Sequence, residues 1–278
     1  METPLSPTAI REALGPNIQR SAERGWHLES LDWTGLAADQ LTELDRSAVR
    51  FITCIEDHIP DYLNWMLTRF PTAGAEHDIA TFRANREYFR FLVAWAYDEE
   101  RHASALTRYQ IEAGIAASEE DLLFDLAQEG AKQFSLPYDH PLQAFTYALI
   151  QEKATQLFYQ RFLASVREPV LRKLLALMAR DEARHFSAYS RLVTSYIAQS
   201  RPEAAPHLKE VVATFRMPLA TTLTGYRRWS LRLADAFGYD HTEAYAALAR
   251  IVSEFVDLPG QPGTDEMGGL LESLSRLP

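Results

Sequence analysis

Two stretches of this sequence decide its fold: YDEERH at residues 97–102 and RDEARH at residues 180–185. Each contains Glu-x-x-His, and residues three apart lie on one face of a helix, so each glutamate can point the same way as its histidine. The pairs are Glu99 with His102, and Glu182 with His185. Apolar residues recur at spacings of three and four around both pairs, which predicts two helices whose glutamates face the core.

Two further glutamates lie on apolar stripes of other helical stretches. Glu56 is in line with Ile52, and Glu152 is in line with Leu149. A buried carboxylate is costly unless it is neutralised, paired or bound to metal. Four helices that contribute Glu, Glu-x-x-His, Glu and Glu-x-x-His supply the ligand set of ferritin-like di-iron carboxylate proteins. The pattern predicts a di-metal site on six residues: Glu56, Glu99, His102, Glu152, Glu182 and His185.

The spacing of apolar residues predicts an all-α protein, a ferritin-like four-helix bundle with additional N- and C-terminal helices. The four long helices are expected over 37–69, 79–113, 141–166 and 169–199, with a shorter helix starting at Ser118 and further helices over 203–257 interrupted at Pro218. Gly114 is a stop signal for the second long helix. We expect one domain over 1–278, with an irregular or partly helical arm over 1–36 and a flexible tail over 258–278.

Composition limits the classes of function. The chain has 278 residues, 47% of them apolar, and no run near the roughly 20 apolar residues that cross a membrane. A net charge of −10 argues against binding to nucleic acid, which draws on a positive field. The N-terminus lacks the features of a secretory signal, and Cys54 is the one cysteine, so we expect a cytoplasmic protein without an intrachain disulfide.

Other polar residues near the motifs carry weaker signals. Asp57 and Glu100 lie off the apolar stripes and are interpreted as solvated, and His58 points away from Glu56. Asp181 precedes a predicted ligand and is a candidate to orient His102 across the bundle, as carboxylates commonly do for metal-bound histidine.

The order and local wording of the motifs resemble the soluble acyl-acyl-carrier-protein desaturases. The similar segments are Glu56-Asp57-His58-Ile59-Pro60, Glu99-Glu100-Arg101-His102, Glu152-Lys153-Ala154-Thr155, Asp181-Glu182-Ala183-Arg184-His185, Phe215-Arg216-Met217-Pro218 and Phe237-Gly238-Tyr239-Asp240. The resemblance covers roughly residues 26–240. It implies that the six predicted ligands hold two iron ions per chain, with O2 as co-substrate. It also implies an acyl chain on acyl carrier protein as substrate, a ferredoxin-type electron donor, a homodimer and a cis double bond as product.

The resemblance further implies roles for three residues outside the ligand set. Thr155 would lie on the oxygen side of the metals, although a helix hydroxyl bonded to a backbone carbonyl is the alternative. Trp26 and Asp181 would lead electrons to His102, although Trp26 could simply pack the arm. An acidic carrier calls for a basic docking patch, and we assign Arg83, Arg86 and Arg90 to it, with Arg227, Arg228 and Arg232 as another basic cluster.

Three other functions remain open at this stage. The same ligands would serve a hydroxylase or N-oxygenase acting on a carrier-bound or small molecule. A non-enzymatic ferritin-like protein would bind or store iron, which normally requires a cage. A bundle stabilised by buried ion pairs would hold no metal.

Overall fold

The computed structural model describes residues 5–74, 78–132, 135–199, 201–256 and 262–275, and the regular structure within these ranges is entirely helical. The α-helices are α1 Pro7–Arg24, α2 Glu43–Glu56, α3 Ile59–Arg69, α4 Ile79–Glu112, α5 Glu119–Gly130, α6 Pro141–Ser165, α7 Pro169–Gln199, α8 Arg201–Thr214, α9 Tyr226–Phe237, α10 Thr242–Ser253 and α11 Thr264–Ser275. The predicted all-α class is confirmed. Within the described ranges, no helix is both long enough and apolar enough to cross a membrane.

Four of these elements, α2, α4, α6 and α7, form a bundle with a polar layer across its middle. One apolar cluster contains Phe91 on α4 and Leu192 on α7, and a second contains Leu106 on α4 and Leu174 on α7. The predicted ligands lie between these clusters on α4, α6 and α7, and Glu56 lies between them where α2 ends and α3 follows. The order of the clusters makes α4 and α6 parallel to one another and antiparallel to α7 and to the successive helices α2 and α3. A connection over 113–140, which includes α5, must therefore run the length of the bundle, as in ferritin-like folds.

Local signals set the ends of the bundle helices. The Thr42 side chain accepts from Asp45 N and completes a capping box at α2, and Asp78 caps α4 in the same manner. Gly114, at φ +60°, follows the end of α4, so the predicted stop signal is confirmed. The predicted second, third and fourth long helices match α4, α6 and α7 to within a residue.

The expectation of one continuous helix over 37–69 is wrong. That segment forms a 3-10 turn at Ala38–Gln40 and then α2 and α3, which are separated at Asp57 and His58. Pro60 in the first turn of α3 has no N–H, so the carbonyl of Glu56 loses its helical donor and the helix ends there. Glu56 is therefore the last residue of α2, and its backbone is not part of α3.

The two termini are more ordered than the sequence predicts. Within the arm, α1 is an 18-residue helix that packs on α4 and α7. The prediction of a flexible tail is wrong for the tail residues that the structure describes, because α11 buries Met267, Leu270 and Leu274 against α8 and α10. The remaining tail residues, 258–261 and 276–278, lie outside the described ranges.

The helices outside the bundle cover two opposite faces of it. The α4–α7 face is covered by α1, whereas α9 packs on α2 and α6, and α10 packs on α6. This arrangement gives the polar layer two different surroundings, one beneath α1 and one beneath α9 and α10.

Candidate metal centre

The structure brings all six predicted ligands into the polar layer and buries each of them. They form two overlapping groups, Glu56, Glu99, His102 and Glu182, and Glu99, Glu152, Glu182 and His185. Within each group the candidate ligand atoms lie within 4.8 Å of one another. Glu99 and Glu182 belong to both groups, whereas Glu56 and Glu152 each belong to one.

The two histidines present the same nitrogen to the carboxylates. Nδ1 of His102 lies 3.4–3.5 Å from oxygens of three glutamates, and Nδ1 of His185 lies 2.8–3.7 Å from oxygens of three. On the far side, His102 Nε2 lies 3.4 Å from Asp181 Oδ2, and His185 Nε2 lies 3.3 Å from Asp98 Oδ2. An aspartate can only accept, so each Nε2 carries a hydrogen and each Nδ1 is the nitrogen that faces the carboxylates and could bind a metal once it is deprotonated.

The polar atoms at the centre fit a metal better than they fit one another. Glu99 Oε1, Glu152 Oε2, Glu182 Oε1 and both histidine Nδ1 atoms are buried without a hydrogen bond from any described residue. Buried polar groups are normally satisfied, so a shared set of unpaired ligand atoms is the arrangement expected of a site that can hold a cation. The donors are carboxylate oxygen and imidazole nitrogen, which suit iron and other first-row metals.

The electrostatics of the six residues lead to the same interpretation. Burial raises the pKa of Glu182 well above its usual range, and the nearby carboxylates of Glu99 and Glu152 raise it further. Burial also raises the pKa of Glu56. Burial disfavours a charged His185, but the surrounding carboxylates outweigh it and raise the pKa of that ring well above its ordinary value. The four buried carboxylates are therefore stabilised either by protons or by bound cations, which this set of ligand atoms could hold.

An apolar cavity lies against one side of this centre, beneath α9 and α10. It has a volume of about 400 Å³. Ile52, Thr155 and Tyr159 line its inner part, and Tyr159 also donates a hydrogen bond to Glu56. Thr155 lies one helical turn beyond Glu152, and no hydrogen bond joins its hydroxyl to the described residues, so its role on the oxygen side stays a prediction. The cavity therefore leads to the carboxylates from the side of Thr155.

Residues 37–230 match the sequence family described as fatty acid desaturase, and this span includes all six buried ligand candidates. The chain belongs to the fatty acid desaturase family. The resemblance to acyl-acyl-carrier-protein desaturases is confirmed by its relatives, which carry that designation.

Two of these relatives and one solved structure describe the similarity. DesA2 of Mycobacterium tuberculosis H37Rv is 27% identical over 150 residues, 53% of this chain and 53% of DesA2. The chloroplastic acyl-acyl-carrier-protein desaturase 7 of Oryza sativa subsp. indica is 26% identical over 226 residues, 80% of this chain and 50% of that protein. The matches thus span about half the length of these relatives. The X-ray structure of DesA2 superposes with a TM-score of 0.60 over 93% of this chain and 99% of the other, at 18% identity, and shows the shared fold.

Sequence reasoning missed a buried ring of four charged residues behind the histidines of this desaturase-family chain. Arg101 contacts Asp98 and Asp181 at 2.6 and 3.2 Å, and Arg184 contacts the same two carboxylates at 2.6 and 2.8 Å. The signal was present, because Asp-Glu-x-Arg-His occurs in both motifs. The expected contact of Asp181 with His102 is present, and Asp98, which had no assigned role, makes the matching contact with His185.

Aromatic side chains donate hydrogen bonds to the outer glutamates, Glu56 and Glu152, which each belong to only one of the two groups. The sequence did not predict these hydrogen bonds. Trp95 Nε1 donates to Glu152 Oε1 at 3.0 Å, and Tyr159 donates to Glu56. Each outer glutamate thus keeps one oxygen engaged with an aromatic side chain. This arrangement orients the other oxygen towards the centre.

The remaining predicted residues lie under and beside α1. Trp26 Nε1 donates to Asp181 Oδ2 at 2.8 Å, and its ring is stacked with His102 at 6.3 Å. Arg83, Arg86 and Arg90 lie on α4, where Arg86 and Arg90 line a surface groove with α1. None of these arginines lines the apolar cavity, so a role in carrier docking stays a prediction.

Proposed function

We propose that this chain is an oxygen-dependent acyl-acyl-carrier-protein desaturase that holds two iron ions and introduces a cis double bond into a carrier-bound acyl chain. The observation that carries the proposal is that two features of the structure lie side by side. Two sets of buried carboxylate and imidazole ligands, sharing two glutamates, lie beside an apolar cavity that Thr155 lines. The relatives named as acyl-carrier-protein desaturases support the choice of substrate.

Each residue has a physical task in this proposal. Glu99 and Glu182 would bridge the ions, and the other four ligands would bind one ion each. Bound iron would supply the reduction of O2 and the removal of two hydrogens from an unactivated chain. The cavity wall holds that chain in place and excludes water, because its surface is almost wholly aliphatic and aromatic. Thr155 lines the cavity one helical turn from Glu152, and its hydroxyl would hold or pass a proton there.

The electron donor would be a ferredoxin-type protein acting through Trp26, which follows α1 in the N-terminal arm. Trp26, Asp181 and His102 form a continuous hydrogen-bonded and stacked path from the arm to the ligands. The homodimer implied by the resemblance stays a prediction that native mass tests.

Metal content and product analysis test the proposal together. Protein expressed in iron-rich medium should hold about two irons per chain and, with ferredoxin, reductase and O2, convert a palmitoyl-loaded carrier to an unsaturated product. The Glu182→Ala, His185→Ala variant should lose most of the iron and all of the product. Glu100→Ala is the matched control, because Glu100 is exposed in the same motif and should behave as the parent does.

Other outcomes identify the alternatives. A hydroxylated product would assign the chain as a hydroxylase, since the same ligands serve both reactions. Iron without turnover in a cage-sized assembly would indicate storage. Properly folded parent protein without any transition metal would contradict the di-iron site itself.

A further inference from the structure

The apolar cavity opens to solvent between α9, α10 and residues 215–220. Its lining residues are buried or half-buried except for three exposed ones, Arg216, Leu231 and His241. These three mark the mouth. A ligand whose apolar end lies against Thr155 must therefore leave its polar end near Arg216 and the outer face of α9.

The outer face of α9 is positively charged. Arg227, Arg228 and Arg232 are exposed on this helix, and none of them is paired with a carboxylate among the described residues. Asp235 is the one acidic residue in the α9 sequence. Arg228 and Arg232 lie 5.7 and 5.3 Å from the centre of the Trp229 ring, which limits the freedom of both guanidinium groups. This concentration of positive charge contrasts with the chain's net charge of −10.

The charged face is continuous with the cavity. Arg227 and Arg228 line a shallow surface groove together with Ala220, Tyr226 and Leu231, and those last three residues also line the cavity. Leu231 is 63% exposed and lies in both the groove and the cavity lining, so it places an apolar side chain at the point where the two meet. Cationic groups thus surround an exposed apolar residue at the mouth.

The arginines of α4 have a different position. They lie on the bundle face that α1 covers, whereas the cavity lies beneath α9 and α10 on the opposite face. Arg90 is also paired with Glu87 at 2.8 Å, and Glu87 is paired in turn with Arg11. A carrier bound to the α4 arginines could not place its acyl chain in this cavity without crossing the bundle.

We propose that Arg216, Arg227, Arg228 and Arg232, with Leu231 among them, form the docking surface for the acidic carrier protein that delivers the acyl chain. We call these five residues the α9 surface. The proposal rests on the proposed function, and it replaces Arg83, Arg86 and Arg90 as the carrier site. Complementary charge steers an acidic partner to the mouth, and Leu231 supplies the apolar contact at its centre.

A pair of charge-reversal variants tests the surface. Arg227→Glu with Arg228→Glu alters the α9 surface, and Arg83→Glu with Arg86→Glu is the matched control. Both variants make the same change in net charge, and each removes one arginine stacked on an aromatic ring, Arg228 on Trp229 or Arg86 on Phe89. Affinity for palmitoyl-loaded acyl carrier protein is measured by fluorescence anisotropy on iron-loaded protein, and turnover is measured alongside.

The α9 variant should bind the loaded carrier at least about tenfold more weakly and raise KM with kcat and iron content unchanged, because the altered charges surround the mouth and touch no ligand. Its affinity should also depend less on salt than that of the parent. The α4 control should match the parent. Equal carrier affinity in the parent and the α9 variant, or a loss of affinity confined to the α4 control, would overturn the proposed docking surface. Either outcome would leave the desaturase proposal intact. A parent that neither binds nor converts any loaded carrier would overturn both.

Discussion

At the scale of single residues, the centre is a nearly symmetric pair of half-sites. Each histidine has an aspartate behind it, each outer glutamate has an aromatic donor, and two arginines join the aspartates. The ligands were predictable from the sequence because helical periodicity places them on one face. The arginines were not, because an arginine beside a ligand is usually solvated, and their burial depends on the α1 helix that covers them.

The aspartates behind the histidines should control metal affinity. Asp181→Asn and Asp98→Asn each replace a carboxylate that accepts from an imidazole Nε2. We expect iron affinity to fall by about 10–100-fold in either variant, because the imidazole loses orientation and basicity. Competition with a chelator measures the loss, and circular dichroism checks the fold. Parent-like affinity in both variants would contradict the assigned role of this pair.

Trp26 breaks the symmetry of the two halves. It donates to Asp181, whereas Asp98 receives a bond from Ser21 instead. Trp26→Phe should keep its iron but slow reduction of the centre by a chemical donor or ferredoxin several-fold, measured by stopped-flow absorbance. Trp33→Phe is the matched control, because Trp33 donates only to the Leu28 carbonyl. Equal slowing in both variants would indicate a packing role for the arm and not an electron route.

Cys54 gives a prediction that depends on pH. Burial raises the pKa of its thiol to about 12, with smaller contributions from nearby carboxylates such as Glu129. Since the thiolate is the reactive form, alkylation at pH 8 should be about a thousandfold slower in the native protein than in urea. The only cysteine of the chain makes the labelled site unambiguous. A native rate within about tenfold of the denatured rate would show an accessible, ordinary thiol.

At the scale of helices, some helix boundaries follow from local sequence signals, whereas others depend on tertiary contacts. The ends of α4, α6 and α7 were predictable because caps and glycine stops act over a few residues. The end of α2 at Glu56 was not, since Pro60 in a helical pattern is compatible with a kink as well as with a break. The order of α11 depends on burial of Met267, Leu270 and Leu274 against α8 and α10. These residues have helical spacing, but the adjacent Gly268 and Gly269 weaken that signal in the sequence.

Glu168 shows how one buried carboxylate can join three elements. Its oxygens accept from Val170 N and Leu171 N at the start of α7, from Ala37 N and from the Tyr109 hydroxyl on α4. Glu168→Gln would turn an amide towards two of these donors, so we expect a loss of about 2–3 kcal/mol in the free energy of unfolding. Ser118→Ala removes the exposed cap of α5 and should cost only about 1 kcal/mol. Urea unfolding midpoints measure both, and equal losses would contradict the difference in burial.

At the scale of the whole molecule, the polar layer divides one bundle into two apolar cores. Each core contains residues of α4, α6 and α7, with α3 contributing to one core and α2 to the other, and neither core alone fixes the spacing of the carboxylates. The four glutamates of the layer carry more negative charge than the two histidines can offset. Without metal, the folded protein must therefore either protonate buried glutamates or tolerate repulsion between their carboxylates. Metal binding should therefore stabilise the entire fold and not only its site.

We expect this coupling to appear in the melting temperature. A ligand that binds only the folded state at a hundredfold excess over its Kd adds about 2.7 kcal/mol, which for a chain of this size is roughly 5–10 °C. Iron loading under anaerobic conditions should raise the Tm of the parent by that amount, and a chelator should reverse it. Glu182→Ala with His185→Ala removes two of the six candidate ligands, so its Tm should barely respond to iron. An equal rise in parent and variant would mean that iron binds elsewhere, and no rise in either would leave the two cores stable without a cation between them.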